Sequence, residues 1–246
     1  EELHPWGHRV ILEDYDIDAE WTTTERCCLF RFVYPEKERA NLLFRIKGEG
    51  ELKIEDNRII KGWEKVEYAR QYFYIELDKP FEQAGIWEGD RTGDAPEIKG
   101  SNIGGWLSAD RVTEVEARVG ISFISVEQAR QNLEKETGNK TFAAIREDSR
   151  QIWEKALGRI RVEGGTEREK RIFYTSLYRT YERMVNFSED GKYYSGFDRQ
   201  IHADNGRPFY NDDWIWDTYR NLHALGMILE PDRKADMLQS YVEMYK

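Results

Sequence analysis

The sequence predicts a mixed fold in which an antiparallel β-sandwich is followed by helices. Short runs of alternating apolar residues, separated by Gly, Asn and Asp clusters, fill residues 8–123, a pattern typical of an antiparallel sandwich. From Ser125 onward the apolar residues recur at helical spacing and helix start and stop signals accompany them. We therefore divide the chain into a sandwich over 1–124, linker helices over 125–165 and a helical domain over 166–246.

The run RCCLFRFVY shows the strand alternation most clearly, because successive side chains of a strand point to opposite faces. One face carries Cys28, Phe30, Phe32 and Tyr34, and the other carries Cys27, Leu29, Arg31 and Val33. The runs ANLLFRI, QYFYIELD and TEVEARVGISFIS are similar. Several of these strands are apolar on both faces, which favours the inner sheet of a large, layered sandwich.

Cys27 and Cys28 are the only cysteines in the chain. Residues adjacent in sequence rarely form a disulfide with each other, and two ligands do not complete a structural zinc site. On a strand they point to opposite faces, so at most one is buried. We predict two free thiols.

Two helices are predicted in the linker. In SVEQARQNLEKETG, Ser125 and Gln128 have the spacing of a capping box and Gly138 is a stop signal. The apolar residues that follow recur at helical spacing and predict a second helix from about Phe142 to Leu157, which Gly158 closes.

A third helix is predicted to begin at Thr166, which forms a capping box with Glu169, and to end near Asn186. A long, aromatic-rich irregular segment over residues 186–211 follows. Within it, FSEDGKYYS predicts a hairpin with its turn at Asp190–Gly191. Loops of this length are uncommon in compact domains and are often functional.

A fourth helix is predicted from Asp212 or Asp213 to about Glu230. Pro231 follows, and a last helix is predicted from about Asp232. The sequence ends within this helical pattern, DRKADMLQSYVEMYK, without a Gly or Asn stop signal, and it begins without Met. We therefore expect the chain to be part of a longer protein.

Composition excludes several classes of function. The 246 residues carry a formal net charge of −10, which disfavours nucleic acid as a partner because phosphate binding needs clustered Lys and Arg. No apolar run approaches the roughly 20 residues of a transmembrane helix. The start, EELHPWGHRV, has neither a basic nor an apolar region of the kind found in signal peptides.

The stretch FYNDDWIWDTYRNLH, residues 209–223, contains five aromatic residues and three aspartates in fifteen positions. On a helical wheel Asp213, Asp217 and Arg220 share one side, and Trp216 lies beside them. Two interpretations are open, one structural and one functional.

In the structural interpretation, Asp212 and Asp213 stabilise the N-terminus of the helix, where negative charge is favoured. Arg220 then pairs with Asp217, three residues away. This interpretation accounts less well for Asp217, which lies one turn into the predicted helix beside Trp216.

In the functional interpretation, the stretch contacts a carbohydrate. A sugar ring has an apolar C–H face that packs on Trp or Tyr, and hydroxyls that need charge-assisted hydrogen bonds. Trp216, Asp217 and Arg220 supply these groups. The preceding loop adds Tyr193, Tyr194, Phe197, Asp198, His202, Phe209 and Tyr210.

Other chemistry is not indicated. The four histidines, His4, His8, His202 and His223, have no metal-ligand spacing. No G-x-S-x-G or other nucleophile motif occurs, and the glycine pairs are turn signals rather than phosphate loops. The candidate site therefore depends on the aromatic and acidic stretch alone.

The segments RIFYTSLYRTYERMVNFSEDGKYYSGFD and FYNDDWIWDTYRNLHAL resemble glycoside hydrolase family 92, the calcium-dependent, exo-acting α-mannosidases. The upstream segments DIDAEWTTTERCCLFRFVYPE, YFYIELDKPF, VGISFISVEQARQNLEKE and IWEKALGRIRVEGGTEREKRIFYTSLYR are similar to the same family in the same order. The resemblance covers nearly the whole chain, and IWDTYR is its most specific element.

The resemblance implies an N-terminal β-sandwich joined by linker helices to an (α/α)6 barrel. The sandwich here is expected to be incomplete, and only the first barrel helices fit between Thr166 and Lys246. It also implies removal of terminal mannose with inversion, by a Glu as general acid and an Asp as general base. Inversion needs carboxylates far enough apart to admit a water. A calcium ion would hold the sugar through its oxygens.

The resemblance carries few of these roles onto this chain. In the family the acid, the base and the calcium ligands lie on later helices, so we expect no catalytic residue and no metal ligand in this chain. Asp217 matches the family's aspartate that contacts the terminal mannose, and Trp216 and Arg220 lie near it. These three are the candidate substrate-binding residues.

We therefore expect part of a glycosidase that removes terminal α-linked mannose, with α-1,2 linkage, in N-glycan processing. The chain alone is expected to be inactive. Its expected partners are mannose-containing glycans and the rest of the same enzyme, and its expected location is secreted or periplasmic. One alternative is a non-catalytic, sandwich-type carbohydrate-binding protein, and another is a structural or interaction module.

Overall fold

The computed structural model describes residues 1–36, 38–67, 69–110 and 112–246. The chain divides into two compact units, residues 1–150 and 151–246. The division falls within a helix that spans Phe142–Leu157. Among the described residues, no helix has both the length and the apolar character needed to cross a membrane.

The first unit begins with a long series of strands. They are β1 (Glu2–His4), β2 (Gly7–Leu12), β3 (Ile17–Thr23), β4 (Cys27–Val33), β5 (Ala40–Glu55), β6 (Ile59–Val66), β7 (Ala69–Leu77), β8 (Gln83–Glu88), β9 (Arg91–Gly93), β10 (Glu97–Ala109) and β11 (Glu114–Ser122). Within the described residues these strands form one sheet, in the order β1-β2-β3-β4-β11-β7-β6-β5-β10-β8-β9. The pairings are antiparallel, as predicted.

A single apolar core draws on strands from well-separated positions in this sheet. The fully buried side chains of Leu52, Ile60, Leu77, Ile103 and Leu107 belong to one cluster. The cluster also packs against residues of β3, β4 and β8. The cluster thus extends across the sheet from β3 to β8, and it gives the sheet the buried apolar face that a sandwich has.

Helix α1 (Val126–Thr137) packs on the sheet, begins after Ser125 and ends at Gly138 as predicted, and has the Ser125 half of the predicted capping box. The Ser125 side chain accepts a hydrogen bond from the Gln128 amide, and Gly138 ends the helix. Leu133 packs in a cluster with Cys27 and Tyr74. At Gly120 in β11, a Cβ atom would lie 2.3 Å from the carbonyl oxygen of Ala129, so the close approach of α1 requires glycine there.

Helix α2 (Phe142–Leu157) has the predicted bounds. Phe142 and Ile145 bury their side chains against Leu29 of β4. The two cysteines are free, and only Cys27 is fully buried. Burial raises the pKa of the Cys28 thiol to about 12 and raises the pKa of Cys27 further.

The second unit combines helices with short strands. Its elements are α3 (Glu167–Arg179), β12 (Val185–Asn186), β13 (Ser188–Glu189), β14 (Lys192–Ser195), β15 (Gln200–Ala203), β16 (Tyr210–Asn211), α4 (Ile215–Thr218), α5 (Leu222–Leu229) and α6 (Pro231–Tyr245). Met184, Tyr210 and Met237 form the buried cluster that joins the β12–β16 pair to α6.

The third helix has the predicted start and an earlier end. The capping box between Thr166 and Glu169 is present in both directions. The helix stops at Arg179, because Thr180 turns back and donates its amide and hydroxyl to the carbonyl of Leu177. The prediction that it continues to Asn186 is wrong, since β12 pairs there with β16.

The segment predicted to be irregular contains a small antiparallel sheet of β13, β14 and β15. The predicted hairpin turn is present, and both Asp190 and Gly191 have positive φ. Positive φ at both central residues is characteristic of the tight turns that join two strands with their natural twist. Tyr193 of β14 stacks on Phe209, with ring centroids 3.9 Å apart.

The predicted fourth helix over residues 212–230 is interrupted. Asp212 has a φ of 66° and lies outside the helix, and α4 is only one turn long. The backbone leaves the helical conformation at Asn221, and a second helix, α5, begins after it. The helical wheel drawn from the sequence therefore does not describe this stretch, and the orientation of its side chains follows from tertiary contacts instead.

The helical surfaces of the second unit leave many large apolar side chains exposed, among them Ile172, Ile215, Met227, Ile228, Leu238, Val242 and Tyr245. Large exposed apolar patches promote association or dye binding. We therefore expect the 246-residue chain, expressed alone, to bind a hydrophobic dye or to self-associate. Dye fluorescence and light scattering measure this. A monodisperse monomer with low dye binding and a sharp unfolding transition would contradict the prediction.

Candidate functional site

The candidate segment, residues 212–218, presents two indole rings to solvent. Trp214 is 51% exposed and Trp216 is 71% exposed. The rings stack with their centroids 6.5 Å apart and an interplanar angle of 19°. Because α4 has a single turn and Trp216 lies on its exposed side, this indole offers an open apolar surface.

Asp217 lies next to Trp216 and is exposed. Its backbone amide donates to the carbonyl of Trp214 at 2.8 Å. Within the described part of the chain, its carboxylate has no hydrogen-bond or ion-pair partner, so both carboxylate oxygens are free to accept hydrogen bonds from a ligand. The predicted pairing of Asp217 with Arg220 is therefore wrong.

Arg220 is directed to its neighbour rather than to Asp217. Its Nε donates to the Tyr219 hydroxyl at 2.8 Å, and its guanidinium lies 5.5 Å from the centre of the Tyr219 ring. The three candidate residues are all exposed, but only Trp216 and Asp217 belong to the same helical turn.

The aspartate pair at the start of the segment does not cap a helix, contrary to the structural interpretation. Trp214 is the N-cap residue of α4, and no side chain accepts from the first amides. Asp212 instead forms an ion pair with Arg183. The Arg183 guanidinium also lies 4.8 Å from the centre of the Trp214 ring, so one side chain contacts both residues.

Asp213 points inward, and its side chain is only 3% exposed. Its carboxylate accepts hydrogen bonds from Thr218 Oγ1 at 2.8 Å, from His223 Nε2 at 2.9 Å and from the Tyr241 hydroxyl. Burial alone would raise the pKa of Asp213, but these hydrogen bonds outweigh burial and hold its pKa below the usual value. Asp213 is therefore a buried, charged acceptor.

His223 connects Asp213 to Lys234 of α6, whose Nζ lies 3.2 Å from His223 Nδ1. An ammonium group only donates, so Nδ1 accepts and Nε2 carries the proton that is donated to Asp213. Burial lowers the pKa of Lys234, and burial together with the hydrogen bond to Asp213 raises the pKa of Tyr241. The sequence analysis missed this network, because His223 and Tyr241 lie 10 and 28 residues from Asp213.

Several aromatic residues assigned to the site from the sequence are core residues instead. Tyr193, Phe209 and Tyr210 are buried. His202 contacts Asp198 at 2.8 Å, so both side chains are engaged within the small sheet. The site that the structure supports is thus smaller than the predicted one and consists of an exposed indole beside a free carboxylate.

No calcium site is formed by the residues that the structure describes, since no three His, Cys, Asp or Glu side chains come together in a group that could hold a metal ion. Calcium takes six to eight oxygen ligands. Asp212 and Asp213 are committed to Arg183 and to the buried network. Asp217 alone does not make such a site.

The indole and carboxylate together suit a ring with an apolar C–H face and a set of hydroxyls. An aromatic ring packs on the C–H face, and a carboxylate accepts short, charge-assisted hydrogen bonds from hydroxyls. An indole and one carboxylate are groups suited to binding and orientation. These two side chains by themselves are not the pair of carboxyl groups, one acid and one base, that inverting hydrolysis uses.

Comparison with protein families gives two matches that together cover nearly the whole chain. The model of the glycosyl hydrolase family 92 N-terminal domain matches residues 1–122. The model of the glycosyl hydrolase family 92 catalytic domain matches residues 128–246. The candidate segment lies within the second match.

Solved structures give the same result. An inverting mannosidase of family GH92 from Bacteroides thetaiotaomicron is 28% identical, with a TM-score of 0.89 over 97% of this chain and 34% of that chain. A family GH92 α-mannosidase from the same organism, in complex with mannoimidazole, is 27% identical, with a TM-score of 0.86. The match covers 97% of this chain and 34% of that chain.

A curated relative described as an uncharacterized secreted glycosidase, from Arthroderma benhamiae, is 27% identical over 71% of this chain and 27% of its own length. The chain thus spans about a third or less of the relatives that it matches.

Proposed function

Because the chain belongs to glycosyl hydrolase family 92, we propose that it is part of an exo-acting α-mannosidase that removes terminal α-linked mannose from glycans. The proposed linkage is α-1,2 and the proposed setting is N-glycan processing. The two solved mannosidases that resemble this chain over 97% of its length support this substrate class.

The observation that carries the proposal is the exposed pair of Trp216 and Asp217. The indole of Trp216 packs on the C–H face of the terminal sugar, and the carboxylate of Asp217 accepts hydrogen bonds from its hydroxyls. Arg220 lies one turn away and contributes a cationic rim. The family match over residues 128–246 includes all three residues and supports this assignment.

The proposed reaction proceeds with inversion. A carboxylic acid protonates the leaving oxygen while a second carboxylate activates a water on the opposite face of the sugar, and the two are separated by the width of that water. We assign both groups, and the ligands of a calcium ion, to parts of the parent protein outside residues 1–246. The residues of this chain bind and orient the sugar.

The proposed location is outside the cytoplasm, in the periplasm or the medium, where extended glycans are available. The name of the fungal relative, a secreted glycosidase, supports this proposal. The proposed partners are mannose-containing glycans and the remainder of the same enzyme.

We expect the complete parent protein to release mannose from α-1,2-mannobiose, and a chelator of calcium to abolish the release. We expect the 246-residue chain alone to release none, because proton donation and water activation each contribute on the order of 10²–10⁴-fold to the rate. Chromatography of the sugar measures release, and proton NMR of the first-formed anomer reports inversion.

A parent protein that binds mannosides without cleaving them would favour the carbohydrate-binding alternative. Release of mannose by the chain alone, abolished by chelation, would show that the catalytic groups are misassigned, and Asp212, Asp213 and Asp217 would then need to be reconsidered. Readdition of calcium to the chelated protein is the control for nonspecific inactivation.

A further inference from the structure

We propose that Asp213 is a positioning residue, which acts together with Thr218, His223 and Tyr241 to hold Trp216 and Asp217 in the orientation that binds the sugar. The inference rests on the proposed function, since it assigns to this network a role in the same site. Asp213 itself is buried and does not contact the sugar.

Two anchoring residues flank the exposed pair. Asp213 precedes the exposed Trp216–Asp217 pair and Thr218 follows it, and the two are joined by a hydrogen bond of 2.8 Å between Thr218 Oγ1 and Asp213 Oδ1. The Thr218 amide also donates to the carbonyl of Trp214 at 3.1 Å. Trp216 and Asp217 thus lie within the candidate segment, and a hydrogen bond joins the two ends of that segment.

Side-chain hydrogen bonds attach the candidate segment to the helices behind it. The Asp213 carboxylate accepts from His223 of α5 and from Tyr241 of α6. Since α4 has one turn and no capping side chain, its own hydrogen bonds do not fix its orientation. The buried carboxylate supplies the fixed point that such a short helix lacks.

The hydrogen bonds of His223 have a defined direction. Lys234 is buried and lies 3.2 Å from His223 Nδ1, so this nitrogen accepts and Nε2 donates to Asp213. His223 Nε2 also lies 3.0 Å from Thr218 Oγ1. Lys234 therefore sets the tautomer of His223, and this tautomer lets Nε2 donate to Asp213, beside the hydroxyl donors Thr218 and Tyr241.

The negative charge of the Asp213 carboxylate stabilises this arrangement. A buried carboxylate is costly unless donors surround it, and a fully satisfied buried network favours one arrangement of its members. Asn at this position has no charge and one accepting oxygen instead of two, so the hydrogen bonds from Thr218, His223 and Tyr241 cannot all keep their present geometry. The candidate segment is then free to change its orientation. Trp216 and Asp217 lose their common orientation, although their side chains are unchanged.

The experiment uses the complete parent protein with Asp213→Asn, Asp217→Asn and the double variant. We expect Asp213→Asn to lower kcat/KM by about 10-fold, and the double variant to be little worse than the poorer single variant, because both remove the same interaction with the sugar. Hydrogen exchange measured by mass spectrometry is expected to rise about 10-fold in peptides covering residues 212–218 of Asp213→Asn, and not in those of Asp217→Asn.

Asp236→Asn is the matched control, because it makes the same chemical change at an aspartate of α6 that forms an ion pair with Arg207, at 3.2 Å, and lies outside the network. It is expected to leave kcat/KM and exchange in residues 212–218 unchanged. Tyr241→Phe removes a single donor and keeps the ring. It provides a milder test in case Asp213→Asn does not fold, and we expect it to lower kcat/KM by about 3-fold.

Independent, multiplicative losses in the double variant would overturn the proposal, because Asp213 would then affect kcat/KM by a route that does not pass through Asp217. If the wild-type parent shows no mannosidase activity, the proposed function fails and the exchange measurement decides the positioning role by itself. In that case unchanged exchange in residues 212–218 of Asp213→Asn and Tyr241→Phe overturns it, and raised exchange supports it.

Discussion

Asp217→Asn in the complete parent protein is expected to lower kcat/KM for a terminal α-mannoside by about 10-fold or more. A hydrogen bond to a charged group contributes roughly 1.5–3 kcal/mol, and the amide lacks that charge. Because the Asp217 carboxylate has no partner within the described part of the chain, its loss should leave the melting temperature within a few degrees of the wild type. Steady-state kinetics and thermal unfolding measure the two effects.

Asp232→Asn is a suitable control for this experiment. Asp232 is an exposed carboxylate in the same unit, in the first turn of α6. Its replacement changes the net charge by the same amount and should leave kcat/KM unchanged. A reduced melting temperature together with normal turnover for Asp217→Asn would reject the assignment of Asp217 to the substrate.

Gly120→Ala is expected to reduce the free energy of unfolding by about 1–3 kcal/mol, or more, because overpacked sites are relieved only by movement of their surroundings. The added Cβ would lie 2.3 Å from the carbonyl oxygen of Ala129 and 3.0 Å from the Cβ of Leu133. Both atoms belong to α1, so the helix must move away from the sheet and lose contacts with Cys27 and Tyr74. Denaturant titration measures the loss.

Gly93→Ala is the matched control for the same chemical change. Its added Cβ would meet only a side-chain atom of Ile86, at 4.0 Å. Its expected effect on the free energy of unfolding is within about 0.5 kcal/mol. Equal losses for the two variants would show that the approach of α1 to the sheet at Gly120 is not the cause.

Local signals predicted the elements that local interactions form. The capping interactions at Ser125 and Thr166, the bounds of α2 and the turn at Asp190–Gly191 depend on residues a few positions apart, and all are present. The alternation of apolar residues also predicted the large antiparallel sheet, because one buried face imposes a period of two on each strand.

The sequence did not predict the interruption of the fourth helix, because its causes are distant in sequence. The pattern from Asp212 to Glu230 is helical by composition, yet Asp213 is drawn inward by His223 and Tyr241. A helical wheel assumes a regular backbone and thus misplaced Asp213 on the exposed side. The end of the third helix was also missed, because the chain turns at Thr180 and then enters β12, whose partner β16 is distant in sequence.

The role of the candidate site stays a prediction. Trp216 and Asp217 are exposed together, and the proposal that they contact sugar keeps its geometric basis. The inclusion of Tyr193, Phe209 and Tyr210 was wrong, because their burial depends on packing that composition does not reveal, whereas Phe197 is exposed. Aromatic side chains serve cores as well as ligands, and only exposure separates the two roles.

The burial of the two adjacent thiols has a consequence for the chemistry of the protein in an oxidising environment. Burial raises the pKa of the Cys28 thiol to about 12, so little of it is thiolate near neutral pH, and the thiolate is the form that attacks disulfides. Cys27 is buried more deeply and its pKa is raised further. The folded first unit therefore resists mixed-disulfide formation and alkylation without any bridge of its own.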